Sequence, residues 1–372
     1  MEAHPINIKA SSTKVQTLLF AIPLTSLLIF RMNNIMDLTL LKEILNKLGN
    51  FEASISQQTF ELMVEAFNTA RASLGWDITF YLPGTVKIHK LRGKYPAISI
   101  TGDRCLLLCE HCKGKLLQPM WKVNTPAELK DLLIQTHKKG MNGALLTGGS
   151  DKEGRLPWES FFDTIGDVYS ATHLYLTAHT GFLNNTQALG LKEAGIRQGL
   201  LDVMGSDEVA QKVYHLPSLL PVLSAIEAIK EAGLELVPHI LAGLDYGKIK
   251  AEHNALLILK DFEPDGLVFV TLTPFKGTDM EHASPPDPVE VARLIATARL
   301  MFPALSISLG CERQRGNYAE RIECLALLAG IDRMAVWSEN TLSLALALGL
   351  KPRFQLTCCS LAPSKALCTP WA

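Results

Sequence analysis

Residues 95–149 read YPAISITGDRCLLLCEHCKGKLLQPMWKVNTPAELKDLLIQTHKKGMNGALLTGG, and this stretch decides the fold. It opens on an apolar strand pattern, YPAISITG (95–102), and closes on a second, GALLTGG (143–149). Between them AELKDLLIQTHKKG (127–140) has helical apolar spacing and ends in Gly140, a helix stop. Strand, helix and strand joined in this way make a βαβ unit with parallel strands. The pattern continues downstream with strand candidates HLYLTAH (173–179), QGLLDVMG (198–205), LELVPHILAG (234–243), DGLVFVTLTP (265–274), ALSISLGC (304–311) and DRMAVWS (332–338). Helical patterns such as NTQALGLKEAG, SLLPVLSAIEAIKEAG, EHNALLILKDFEPD, PVEVARLIATARLMF and YAERIECLALLAG fall between them. Eight such strands predict an α/β fold, a (β/α)8 TIM-type barrel. A partial six-strand barrel with two extra units is the alternative.

The barrel is expected over residues 95–340. Residues 36–94 are read as an N-terminal helical cap, because MDLTLLKEILNKLGN places Leu38, Leu41, Ile44 and Leu48 at helical spacing. Residues 341–372 are read as a C-terminal helix and a cysteine-bearing tail. Residues 1–35 form an apolar extension. Its run VQTLLFAIPLTSLLIF (15–30) is shorter than a spanning helix needs and contains Gln16, Thr17, Pro23, Thr25 and Ser26. Lys9 and Lys14 precede it, but no small-x-small cleavage pattern follows. The open readings are a start at Met32 or Met36, a loose amphipathic tail, and a targeting segment. No stable membrane span is expected.

Hydrophobic residues make up 48% and charged residues 20% of the 372, which excludes a disordered or fibrous chain. Thirty-six Lys and Arg oppose 37 Asp and Glu, so there is no bulk electrostatic footprint for nucleic acid. Eight cysteines are too few for a disulfide scaffold of this length. Clustered cysteines without a secretory context indicate metal or redox chemistry in a reducing compartment, hence a cytoplasmic location.

The strongest local signal is TGDRCLLLCEHCKGK (101–115), which follows the first barrel strand. Cys105-x3-Cys109-x2-Cys112 puts three thiolates on one loop. Three cysteines can fold around a cubane and leave the fourth iron open to a substrate or cofactor. Zinc is the competing reading, but structural zinc prefers four ligands and only one CxxC is present. The barrel architecture also places active sites at the C-terminal ends of the strands. There the sequence puts Thr147-Gly148-Gly149, His179, Asp202, His239 and Cys311-Glu312-Arg313.

The motif and its position resemble the radical S-adenosylmethionine (SAM) superfamily over about residues 95–340. The resemblance implies that Cys105, Cys109 and Cys112 hold a [4Fe–4S] cluster. SAM would bind its open iron and be cleaved to methionine and a radical that removes hydrogen from an unactivated carbon. His111 stands where the family commonly has an aromatic residue. Thr147, Gly148 and Gly149 match a Gly-Gly-Glu-like motif for the methionine amino group, with Ser150 in place of the acid. Gly243 matches the last glycine of an adenine-binding motif. His179 and Asp202 are placed to meet ribose or substrate, and Arg313 to orient a substrate carboxylate. Satisfied rim and capping roles for His179 and Asp202 stay open.

Cys311 and the pair Cys358–Cys359 form a second group. The chain is similar to sulfur-inserting members, biotin synthase and lipoyl synthase, which carry a second cluster as sulfur source. Its tail resembles a two-protein type of lipoyl synthase. No cysteine precedes Cys105, which argues against the single-chain type. Vicinal cysteines do not easily ligate one metal together, so one of the pair is expected to serve in an auxiliary cluster. Packed or chance thiols are the alternative for this group. Cys324 is read as core and Cys368 as a bystander. The implied partners are an electron donor such as ferredoxin or flavodoxin, a homologous radical SAM subunit and an octanoylated carrier protein. Two other readings stay open. One is a radical SAM mutase, dehydrogenase or cofactor-biosynthesis enzyme without sulfur insertion; the other is a cluster-bearing partner subunit without catalysis.

Overall fold

The computed structural model describes residues 35–47, 55–84, 86–88, 90–364 and 368–369. The apolar run 15–30 and both early methionines, Met1 and Met32, lie outside them. All eight expected strands are present, as β4 (Ala97–Ser99), β6 (Gly143–Thr147), β7 (Tyr175–His179), β8 (Gln198–Asp202), β9 (Glu235–Ala242), β10 (Leu267–Thr271), β11 (Ile307–Leu309) and β12 (Arg333–Ala335). Three more parallel strands join them: β1 (Asp77–Tyr81), β5 (Trp121–Lys122) and β13 (Lys351–Gln355). The order is β13-β1-β12-β11-β10-β9-β8-β7-β6-β4-β5, with β14 (Cys368–Thr369) antiparallel on β13. The sheet is therefore a curled partial TIM-type barrel of eleven parallel strands rather than a closed eight-stranded ring. A two-residue hairpin, β2 (Lys87–Ile88) and β3 (Leu91–Arg92), stands apart.

Strand β1 sits between β12 and β13, buried from Ile78 to Tyr81. Among the described residues β14 pairs with β13 only at Phe354 and Gln355, so Pro352 has no described partner on its outer side; an edge position tolerates the missing N–H.

The helices form the outer layer: α1 (Leu38–Lys47), α2 (Gln57–Leu74), α3 (Pro126–Lys138), α4 (Phe162–Thr172), α5 (Asn185–Glu193), α6 (Asp207–Tyr214), α7 (Leu220–Glu231), α8 (Glu252–Phe262), α9 (Pro288–Met301), α10 (Asn317–Leu328) and α11 (Glu339–Ala347). Their starts follow local chemistry. Thr125 caps α3 ahead of Pro126, and Asn184 and Gln187 make a capping box on α5. Helix α2 packs on α9 and α10, so it belongs to this outer layer. Buried apolar residues from β1, β4, β6 to β13 and both N-terminal helices form one core. Among the described residues no helix is long and apolar enough to cross a membrane.

Candidate functional site

The three-cysteine loop leaves the C-terminal end of β4. Its first turn is fixed by hydroxyls. Ser99 Oγ donates to the Gly102 carbonyl at 2.7 Å, and Thr101 Oγ1 donates to that of Arg104 at 3.0 Å while accepting the Gly149 N–H at 2.7 Å. Leu106 N–H donates to the Ser150 carbonyl at 2.7 Å, so Ser150 contributes through its backbone. Gly149 lies directly on the loop. A Cβ there would stand 2.0 Å from the Arg104 carbonyl oxygen and 2.5 Å from Cys105 Cβ, so only glycine fits. Gly148 packs on Thr101, and the Thr147 carbonyl accepts the Ile100 N–H.

Further along, the Cys112 and Lys113 N–H groups both donate to the Cys109 carbonyl, turning the last cysteine back on the second. Leu108 (φ 48°) and Lys113 (φ 44°) take left-handed backbone, uncommon for side chains of this size. The donor atoms of Cys109, His111 and Cys112 all lie within 4.8 Å of one another, and all three residues are buried. Cys105 is not within that separation, but it is close enough to act electrostatically on Cys109, and its Cβ is 3.4 Å from where a Cβ on Gly114 would be. The hydrogen bond from Cys109 and the neighbouring His111 together push the Cys112 thiol down to about 4, against burial, while Cys109 is pushed up. Burial opposes protonation of His111, but Cys112 and Asp202 outweigh it and hold its pKa above the ordinary value. Its Nδ1 has no hydrogen-bond partner among the described residues.

A polar network extends from this loop across the strand ends. His111 lies against Tyr214, ring centroids 5.3 Å apart. Tyr214 donates its hydroxyl to Asp202 Oδ2 at 3.2 Å, and His179 Nε2 stands 3.4 Å from Asp202 Oδ1. Burial works to raise the Asp202 pKa, yet His179, His239 and His111 hold it below the usual carboxylate range. His239, paired in register with Asp202, has its ring 5.3 Å from that of His179 and is pushed down to about 3, first by burial and then by His179. His179 and Asp202 thus meet in one network. Tyr214 and His239 complete it; sequence reasoning missed Tyr214, because nothing in a helical Tyr announces a partner on a strand end.

Two other candidates are committed elsewhere. Gly243 (φ +92°) donates its N–H to Glu252 Oε1 at 2.7 Å and packs on Pro286. Arg313 is buried, pairs with Glu323 at 2.7 Å and donates to the carbonyls of Ala335 at 2.9 Å and Val336 at 2.7 Å. Val336 is a β-branched residue at φ 56°, so Arg313 clamps a strained chain end.

The tail folds into the barrel. The Leu356 carbonyl accepts the Lys94 N–H, Cys359 accepts Ser308 Oγ, Ser360 accepts Gln198 Nε2 and an Arg333 guanidinium N–H, and Leu361 accepts the Tyr81 hydroxyl. β1 and β8 are far apart in strand order, so a short peptide that touches both runs through the inside of the curl. Cys358 lies within electrostatic reach of Cys311. Cys311 is solvent-accessible, yet enclosing protein, then Cys358, pushes its thiol up to about 11. Cys358 is held down at about 6 by the hydrogen bond from Cys359 and then by Ser360. Among the described residues Cys311, Cys358 and Cys359 are not a group with donors at ligating separation. Cys324 is buried in α10, as its helical spacing predicts.

Residues 269–360 match the family model of the Biotin and Thiamin Synthesis associated domain. The chain is 27% identical over 241 residues to a biotin synthase of Prochlorococcus marinus, covering 63% of this chain and 72% of that protein. A biotin synthase of Aromatoleum aromaticum is 27% identical over 50% of this chain and 56% of its own length, and one of Beijerinckia indica is 30% identical over 44% and 50%. The chain thus spans about half the length of the latter two relatives. The fold is similar to that of methylornithine synthase (PylB), with a TM-score of 0.55, 19% identity and 78% and 81% of the two chains covered. It is also similar to the FeFe-hydrogenase maturase HydG of Carboxydothermus hydrogenoformans, with a TM-score of 0.59, 15% identity and 93% and 86% covered.

Proposed function

We propose that this chain, a biotin synthase-like protein of the radical SAM superfamily and a radical SAM enzyme, inserts sulfur at an unactivated carbon. Cys105, Cys109 and Cys112 are the residues that would hold its [4Fe–4S] cluster. The fit rests on the chemistry of the donor set: two buried thiols already turned together, a third beside them, and one thiol held as thiolate near neutral pH. With SAM bound, the cluster would supply one-electron cleavage of the sulfonium and a hydrogen-abstracting radical. The chain's own part is to orient and to exclude water. Gly149 lets the loop close against β6, Gly148 and Thr147 support it, and His111 fills the buried position beside Cys112. His179 and Asp202 present hydrogen-bonding groups at the mouth, where ribose or substrate would lie.

The observation that carries sulfur insertion is the tail. Cys358 and Cys359 are folded inside the barrel near Cys311, where an auxiliary cluster would face the same interior as the first. The reading implies a one-electron donor such as ferredoxin or flavodoxin, a homologous radical SAM subunit and an octanoylated carrier protein as substrate, in the cytoplasm.

Iron and acid-labile sulfide per chain test this after anaerobic reconstitution. About eight irons are expected, falling to about four in the Cys105/Cys109/Cys112→Ala variant and to about four in Cys358→Ser. About four in the wild type and none in the triple variant would leave a single cluster. That result would favour the second reading, a radical SAM mutase, dehydrogenase or cofactor-building enzyme, which is also supported by Cys311, Cys358 and Cys359 not being, among the described residues, a group with donors at ligating separation.

A further inference from the structure

We propose that a recess at the N-terminal end of the barrel, opposite the cysteine loop, binds a nucleotide through its phosphates and base. The recess holds about 400 Å³ and is lined by Arg92, Gly93, Lys94, Trp121, Lys139 and Met141. That volume lies within the roughly 300–1,000 Å³ of small-molecule sites. Its lining has three cations, one indole and no carboxylate. The cations come from three separate elements: the end of β3, the approach to β4 and the end of α3.

Their isolation is the main observation. Two nearby lysines are neutralised, Lys122 by Asp103 at 2.6 Å and Lys130 by Asp167 at 2.8 Å. Among the described residues none of Arg92, Lys94 and Lys139 is in an ion pair. Three like charges converging on one concavity raise its potential and concentrate anions there. Helix capping accounts for Lys139 alone, since a cation at a helix C-terminus complements the dipole. Arg92 and Lys94 have no such role.

The frame is fixed. Gly93 N–H donates to the Val86 carbonyl at 2.9 Å, Lys94 N–H to that of Leu356 at 3.0 Å, and Asn142 N–H to that of Lys94 at 2.8 Å. A Cβ on Gly93 would stand 2.6 Å from the Leu82 and Gly84 carbonyl oxygens, so the backbone there is closely seated. Cations mounted on ordered backbone lose less freedom when they bind.

The lining selects the ligand class. Three cations match a di- or triphosphate better than a single carboxylate. The half-buried Trp121 ring, with Lys139 Nζ 5.8 Å from its centroid, and the Met141 thioether offer an apolar surface to a base. SAM, which carries a sulfonium cation, is disfavoured by the same charges, so this site is separate from the one proposed at the barrel mouth.

The test is isothermal titration calorimetry of the full chain with ADP, pyrophosphate and adenosine at two salt concentrations. Binding of ADP is expected to weaken about fivefold or more in Arg92→Gln and in Lys139→Gln, and to weaken with salt. Trp121→Leu is expected to weaken ADP but leave pyrophosphate unchanged. Both cation positions are exposed, so those variants keep the fold, which circular dichroism checks. No binding at millimolar ADP would overturn the proposal, as would affinity unchanged in both cation variants. Pyrophosphate binding as tightly as ADP, with Trp121→Leu silent, would overturn the nucleotide assignment. None of these readouts depends on iron or SAM cleavage, so this proposal and the radical reading fail separately.

Discussion

The two cysteine groups sit in one barrel and are built in opposite ways. Cys105, Cys109 and Cys112 lie within one loop, so little chain entropy opposes their meeting, and backbone bonds to the Cys109 carbonyl turn Cys112 back. Cys311 and Cys358 are far apart in the chain and come within electrostatic reach only because β13 and the tail return through the curl. The electrostatics differ as well. In the loop Cys112 is held near 4, ready as a ligand, whereas enclosing protein pushes Cys311 up to about 11. A local motif carries its own geometry and charge state; a long-range group inherits both from the fold.

The largest effect that sharpens this comparison is expected from Cys109→Ala. SAM cleavage, read as 5′-deoxyadenosine formed per chain, should fall to background, while Cys358→Ser keeps it. Equal loss in both would erase the distinction between the groups.

Next comes the frame of the second group. Glu323 accepts hydrogen bonds from Arg313, from the Ser338 N–H and from the Thr341 hydroxyl. Glu323→Gln leaves a buried guanidinium without its counter-charge, which should cost about 3–5 kcal/mol in urea unfolding. A loss below about 1 kcal/mol would mean that Arg313 does not anchor the Cys311 chain end.

Gly149→Ala should act on the first group. Its Cβ would collide with Arg104 and Cys105, costing about 1–3 kcal/mol and lowering cluster iron. Gly166→Ala is the control. Its Cβ meets nothing nearer than 3.8 Å on a helix, so it should be neutral or stabilise by up to about 1 kcal/mol.

The same contrast between local and distant explains what was legible in the sequence. Each of the eight strands between residues 95 and 338 was readable because apolar runs and helix-ending glycines are local signals. β1 was not, since DITFY follows a helix with only Gly75 and Trp76 between and reads as part of the cap. β13 was hidden by Lys351, Pro352 and Arg353, which suit an edge strand. At the site, the cysteine loop and the glycines of β6 were legible as a motif. The commitment of Arg313 to Glu323 was not, because a rim arginine beside Cys311 reads equally as a substrate clamp until its partner on α10 is known. Tyr214 likewise depends on α6 packing beside β8.

The smallest effect bears on the network that joins the loop to the barrel interior. His239 is held neutral, its pKa about 3 against about 6.5 in an unfolded chain. Between those values the unfolded chain binds a proton that the folded one refuses, so stability falls as pH drops from 6.5 and levels off below 3. At pH 5 the loss should be at most about 2 kcal/mol, and at pH 7 nearly none. Asp202 also loses stabilisation in acid, because its folded pKa is depressed, but only as pH falls from its unfolded value near 3.9. Between pH 7 and 5 Asp202 is silent, while His253, also held down, adds to the slope and His111, held up, opposes it, so the share of His239 is the difference between the urea-unfolding slopes of the wild type and His239→Asn. His239→Asn should flatten the slope over that range while leaving the decline below pH 4 in place. An unchanged slope from pH 7 to 5 would show that His239 takes a proton in the folded state and that the network is open to water there.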